Sequence, residues 1–166
     1  MKLLRYEDGD LELTEALETD PRVMRELGGP IESSRLPEIH HRRLNELWYF
    51  KIVLDSRERA VGTIGIWEKL LDGATIHETG WLVRPAFQGR GIATAALDLL
   101  IKRVRAGSTF ERLHAFPPIT NAPSNALCRK FDFSLLEERD FVYAGRTLRC
   151  NHWVLQTQSI ESEASH

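Results

Sequence analysis

A chain of 166 residues with 42% hydrophobic and 28% charged side chains is sized for one domain with its own core. Its formal net charge of −2 removes any general electrostatic pull toward nucleic acid, and the opening MKLLRYEDGD turns acidic before any apolar signal or membrane-spanning run develops. The two cysteines, Cys128 and Cys150, make neither a disulfide framework nor a metal-ligand spacing, so a reducing cytoplasm is the expected location and no metal is expected.

In chain order, residues 2–6 read as a first strand. Leu11, Leu13, Ala16 and Leu17 then mark a helix over 10–18 with Asp10 as its cap. Asp20-Pro21 is a cap and first helical residue for a short helix through Leu27, and Gly28-Gly29-Pro30 stops it. A polar helix over 36–46 follows. WYFKIVLD from Trp48, AVGTIGIW from Ala60 and TIHETGWLV over 75–83 are rich in aromatic and β-branched residues and read as strands. The polar turn Ser56 to Arg59 and the hairpin signal Leu71-Asp72-Gly73 join them into an antiparallel meander.

From Gly89 the period changes. Ile92, Ala96, Leu99 and Leu100 lie on one helical stripe, Lys102, Arg103 and Arg105 suit its carboxyl end, and Gly107 is the expected terminator. A strand at 110–116, a helix at about 122–131 and two strands near 133–142 and 146–155, joined through Ala144-Gly145, complete an α+β fold. The polar stretch after about Gln156 reads as a flexible tail, so the domain is placed at 1–155 and the tail at 156–166.

The segment with the most chemical content runs from Leu82 to Ala95. A strand ends at Pro85, two glycines stand at Gly89 and Gly91, and an apolar helix begins. Glycine lets amides approach an anion, and the first-turn N–H groups of a helix have no internal acceptors, so the turn suits a phosphate. Arg84 and Arg90 add positive charge. A tight strand-to-helix connection accounts for the same residues equally well. The dinucleotide fingerprint is excluded by the missing third glycine, and the P-loop by the missing Gly-Lys-Ser/Thr.

Gln88-x-x-Gly91-x-Ala93 resembles the Gln/Arg-x-x-Gly-x-Gly/Ala signature of the GNAT acetyltransferases, and Gly80-Trp81-Leu82-Val83-x-Pro85 resembles the strand that precedes it in that family. Downstream, Asn121-x-x-Ser124-x-x-Leu127-x-x-Lys130-x-x-Phe133 resembles a second family segment, and Asp20 to Leu27 is similar to the branch that acetylates ribosomal-protein N-termini. The likeness spans about residues 3 to 155. It implies a mixed, mostly antiparallel sheet of about seven strands with helices on both faces, and acetyl-CoA as cosubstrate. By the same resemblance, the amides of Gln88, Gly89, Arg90, Gly91, Ile92, Ala93 and Thr94 hold the pyrophosphate. Trp81, Leu82 and Val83 pair with the pantetheine arm, one of their N–H groups polarises the thioester carbonyl, and Asn121 contacts the coenzyme. Family members often pair, so a homodimer is expected on that ground alone.

Direct aminolysis of a thioester needs a proton acceptor for the amine. Glu78 is the candidate base: it shares a strand face with Ile76, Gly80 and Leu82, where partial burial raises a carboxyl pKa. Pairing with an arginine from the neighbouring strand, or a solvated edge position, is the plainer alternative, and His77, on the opposite face, is the rival base. The family's leaving-group tyrosine is Cys128 here, so Cys128 and Ser124 are the candidate proton or hydrogen-bond donors to the thiolate, with packing and helix capping as their plainer roles. The leading expectation is an N-acetyltransferase acting on a protein N-terminus or a small-molecule amine, with residues 20–46 and the hairpin at 138–148 forming the acceptor groove. A non-catalytic acyl-CoA sensor is the alternative, and a different nucleotide-phosphate ligand a third.

Overall fold

A computed structural model of the protein describes residues 1–54, 59–143 and 145–158. Most of the expected turn at 56–59, Ala144 of the last hairpin and most of the expected tail lie outside the described residues. β1 (Lys2–Arg5), β2 (Trp48–Val53), β3 (Ala60–Leu71), β4 (Ala74–Val83), β5 (Arg112–Ala115), β6 (Ser134–Tyr143) and β7 (Arg146–Gln156) form one sheet in the order β1-β2-β3-β4-β5-β7-β6. Among the described residues only β4 and β5 pair in parallel. The helices are α1 (Leu11–Glu18), α2 (Pro21–Met24), α3 (Leu36–Asn45), α4 (Ile92–Gly107) and α5 (Ala122–Lys130). The expected α+β architecture, a mostly antiparallel seven-stranded sheet between helices, is the one observed.

Side-chain alternation along β3 and β4 sorts two cores. Ile64, Ile66 and Val83 face α4, where Ala96, Leu97, Leu100 and Val104 seal the main core. The other face carries Thr63, Gly65 and Trp67 of β3 beside Glu78, Gly80 and Leu82 of β4. The two glycines make room for aromatic rings: an added Cβ would stand 2.4 Å from Tyr49 Cδ2 at Gly65 and 2.7 Å from Trp67 Cη2 at Gly80. Above this face α1 and α3 meet the sheet through polar side chains. The Tyr6 hydroxyl touches Thr14 Oγ1 and lies 2.6 Å from His40 Nδ1, and the Arg43 guanidinium lies 4.9 Å from the Tyr49 ring centre.

Some local expectations shift. Asp10 stands at the start of α1, but its carboxylate accepts from the Glu7 N–H (2.8 Å) and pairs with Lys51 (3.1 Å) instead of capping the helix. α4 carries Gly107 as its last residue, and the left-handed stop is Ser108 at φ 47°. α2 ends at Met24 and a 3-10 turn over Arg25–Leu27 continues to Gly28. β7 runs through Gln156, and Thr157 donates from its N–H to Glu111 O at 3.0 Å. Asp72 and Gly73 take φ of 51° and 82°, the two left-handed positions of a type I′ hairpin turn.

Candidate active site

β4 and β5 share a single register pair, Glu78 with His114. Beyond it, among the described residues, the five residues Thr79 to Val83 have no register partner on that side. The Arg84 N–H donates to Val61 O at 2.8 Å. Alternation therefore turns the N–H and C=O groups of Val83 and Trp81 away from β3 and into the gap. A cavity of about 1170 Å³ opens there.

One wall of that cavity is the turn into α4. Gly89 and Gly91 take φ of 72° and 74°, and the first helical bond is Ala95 N–H to Gly91 O at 3.0 Å. Among the described residues, the amides of Gly89 through Thr94 donate to no protein acceptor. Six open N–H groups at the positive end of a 16-residue helix make an anion cradle. The Gln88 side chain stabilises it by donating from Nε2 to Val83 O at 2.9 Å, which ties the turn to the strand end. The Arg90 guanidinium lies 5.4 Å from the Phe87 ring centre and does not line the cavity; what its position offers is the backbone amide.

The opposite wall is α5. Asn121 is its N-cap, with Oδ1 accepting from the Ser124 N–H at 3.2 Å. The Ser124 side chain is half-buried on the cavity. Asn125, which the sequence reading passed over, anchors the helix: its Oδ1 accepts from Asn151 Nδ2 (2.8 Å) and Trp153 Nε1 (2.9 Å) of β7. Cys128 is not brought to the site. It is fully buried among core residues, burial pushes its thiol up to about 12, and it does not line the cavity. A thiol held there is a packing group and a poor proton donor.

Glu78 reaches the cavity from the face of β4 that the alternation assigns to it. Its Oε2 accepts from Trp67 Nε1 at 3.1 Å and pairs with Lys69 Nζ at 3.2 Å, both from β3. The neighbouring strand does supply a cation, but it is Lys69 and not the expected arginine, and among the described residues Oε1 has no partner. Burial raises the Glu78 carboxyl above its ordinary range, against the opposite pull of Lys69 and Trp67. Gly80 positions this group indirectly, because the Trp67 ring fills the space a Cβ would take. His77 packs its ring 4.7 Å from that of Phe110 and does not line the cavity. Trp81, Leu82, Val83, Gln88, Gly89, Gly91, Ile92, Ala93, Thr94, Asn121, Ser124 and Glu78 all line the same cavity.

A family profile described as an acetyltransferase (GNAT) domain matches residues 1–134, most of the chain. The chain belongs to the GNAT acetyltransferase family. No curated protein matches it. Solved structures agree on the fold. A GNAT-family acetyltransferase from Bacillus anthracis superposes with a TM-score of 0.78 at 17% identity over 93% of both chains. Spermidine N-acetyltransferase from Vibrio cholerae, solved with CoA and spermine, gives 0.76 at 17% over 94% of this chain and 95% of its own. The Salmonella typhimurium protein yncA, solved with acetyl-CoA, gives 0.70 at 21% over 97% and 96%. Among the described residues of the present GNAT chain, no helix is long and apolar enough to cross a membrane.

Proposed function

We propose that the chain transfers an acetyl group from acetyl-CoA to a primary amine by direct attack in a ternary complex. The observation that carries this reading is the meeting, in one cavity, of the open amides before α4, the unpaired edge of β4 and the Glu78 carboxylate. CoA or acetyl-CoA in two of the similar structures supports it. Acetyl-CoA, when bound, supplies an activated acyl thioester.

In this reading the amides of Gly89 to Thr94 hold the diphosphate, and Asn121 and the β4 edge hold the pantetheine arm; the Gln88 amide, expected to join the cradle, instead donates to Pro85 O at 3.2 Å, and the residue acts through its side chain. The outward N–H groups of Trp81 and Val83 are the donors placed to polarise the thioester carbonyl. Glu78 accepts the amine proton at Oε1 through a water, since Oε2 is held by Trp67 and Lys69. Ser124 donates a hydrogen bond to the departing sulfur, and Cys128 has no part. The acceptor is a small-molecule amine or a protein N-terminus: the spermidine enzyme among the similar structures supports the first, and the likeness of Asp20 to Leu27 to the ribosomal N-terminal branch supports the second. Two buried free cysteines suit a reducing cytoplasm.

Thiol release from acetyl-CoA across a panel of primary amines tests the reading. Release that depends on the amine is expected. Tight coenzyme binding with no release from any amine would establish the sensor alternative, and displacement of CoA by ATP in a thermal-shift competition would point to a different nucleotide ligand.

A further inference from the structure

The half of the cavity away from α4 is floored by an ion pair. Glu18, at the end of α1, is 3% exposed and Arg43 of α3 is 8% exposed. Arg43 Nη2 donates to Glu18 Oε1, and its Nη1 donates to Thr14 Oγ1 at 3.0 Å. Thr14 meets the Tyr6 hydroxyl, Tyr6 meets His40, and His40 Nε2 reaches Asp8 at 3.6 Å. This chain of contacts fixes the Glu18 carboxylate from behind. Its second oxygen, Oε2, is buried, and among the described residues no donor reaches it. Glu18 lines the same cavity as Glu78.

A buried carboxylate oxygen without a donor is costly in a folded chain, and such a group repays its desolvation when a ligand supplies the hydrogen bond. The cations nearby do not serve it. Arg43 is committed to Oε1 and Thr14, Arg22 to Asp20, Arg25 to Glu26 and Lys69 to Glu78, while Arg42 acts on Glu46. Between the two carboxylates the floor is aromatic: Glu78 is bonded to Trp67, the Trp67 and Tyr49 rings lie 6.4 Å apart, and Tyr49 lies under Arg43. A carboxylate beside aromatic faces is a surface for an ammonium group.

We propose that Glu18 Oε2 binds a second positively charged group of the acceptor, so that the preferred acceptor is dicationic, with its reacting nitrogen at Glu78 and its other ammonium at Glu18. The inference rests on the acetyltransferase reading and extends it to the acceptor's chemical class. A free diamine and a peptide whose N-terminal residue is followed by lysine both carry this chemistry.

The test compares matched acceptors on the full chain with saturating acetyl-CoA: 1,4-diaminobutane against 1-aminopentane, and alanyl-lysine amide against alanyl-norleucine amide. The expected result is a kcat/KM for the dicationic member at least about tenfold higher in one of the pairs, the scale of one charge-assisted hydrogen bond; the pair that shows it identifies the source. In Glu18→Gln that preference collapses toward unity through KM, with coenzyme binding as the check that the variant is folded. Removing the charge leaves Arg43 without its partner, so if Glu18→Gln does not fold, the wild-type ratios decide. Equal kcat/KM within both pairs, or the full preference retained in a folded Glu18→Gln, overturns the inference and leaves the transferase reading intact. Failure of every amine to release thiol overturns both.

Discussion

The two halves of the cavity are made of different material. Around the start of α4 the wall is main chain: the amides of Gly89 to Thr94 and the outward groups of Trp81 and Val83. Around Glu18 it is side chain: a relay from Asp8 through His40, Tyr6, Thr14 and Arg43 that draws on the segment after β1 and on α1 and α3. A main-chain wall depends on a few conformations, which glycine at positive φ secures almost alone. A side-chain wall depends on the identity of every member, and each member can be changed to suit another acceptor. The contrast explains how one fold can keep its coenzyme and vary its acceptor.

The largest effect is expected at Gly91, in the main-chain wall. Among the described residues, apart from its own chain neighbours, nothing lies within 4 Å of where its Cβ would be, so substitution meets no clash; the penalty comes from φ 74° and from whatever charge arrives. Gly91→Glu adds about 1–2 kcal/mol of left-handed strain and sets a carboxylate against the diphosphate. Coenzyme affinity is expected to fall by about 10³-fold in a calorimetric titration, at roughly 1.4 kcal/mol per decade. Gly91→Ala isolates the strain and is expected to cost about one decade. Unchanged affinity in Gly91→Glu would remove the cradle from the mechanism.

The second effect concerns Glu78, where the two materials meet. Glu78→Gln is expected to lower kcat by about 10²-fold, the low end for a positioned base, with coenzyme affinity retained. A base acts in its ionised form. Wild-type kcat/KM is therefore expected to fall as the medium is acidified through a midpoint above the ordinary carboxylate range, because burial raises this carboxyl. Lys69 holds the midpoint down, so Lys69→Met is expected to move it further up. An acid limb identical in Glu78→Gln and wild type would assign the base elsewhere.

What could be read from residues alone follows the same division. The order of strands and helices was legible because period-2 and period-3.6 apolar patterns are local, as in Ile64 and Ile66 on β3 or Ile92, Ala96 and Leu100 on α4. The glycine turn was legible because its chemistry lies in consecutive residues. Glu78 could be placed on a face by alternation, but its partners Trp67 and Lys69 depend on the β3–β4 register. Glu18 and Arg43 stand 25 residues apart and meet only when α1 packs on α3. The one local sign was Thr14 and Glu18, four apart on the stripe next to Leu13 and Leu17, where two polar residues share a buried helix face. Ser108 took the left-handed stop from Gly107 at the end of α4, a choice between neighbours that composition does not make.

The smallest expected effects separate two neighbours on α5. Ser124 and Cys128 are one turn apart, yet Ser124 lines the cavity while Cys128 is sealed in the core with Leu127 and Trp153. Cys128→Ala removes a fully buried sulfur and is expected to cost about 1 kcal/mol of stability, seen as a lower denaturation midpoint with kcat unchanged. Ser124→Ala deletes an oxygen on the cavity wall and leaves the Asn121 cap in place, because that cap binds the Ser124 N–H. Its stability is expected to stay near wild type while kcat falls several-fold, as loss of a single hydrogen bond of about 1 kcal/mol allows. The reverse pattern, with kcat lost in Cys128→Ala and kept in Ser124→Ala, would mean that α5 turns in the working enzyme to bring the thiol to the cavity. The Asn125 bonds to Asn151 and Trp153 oppose that rotation.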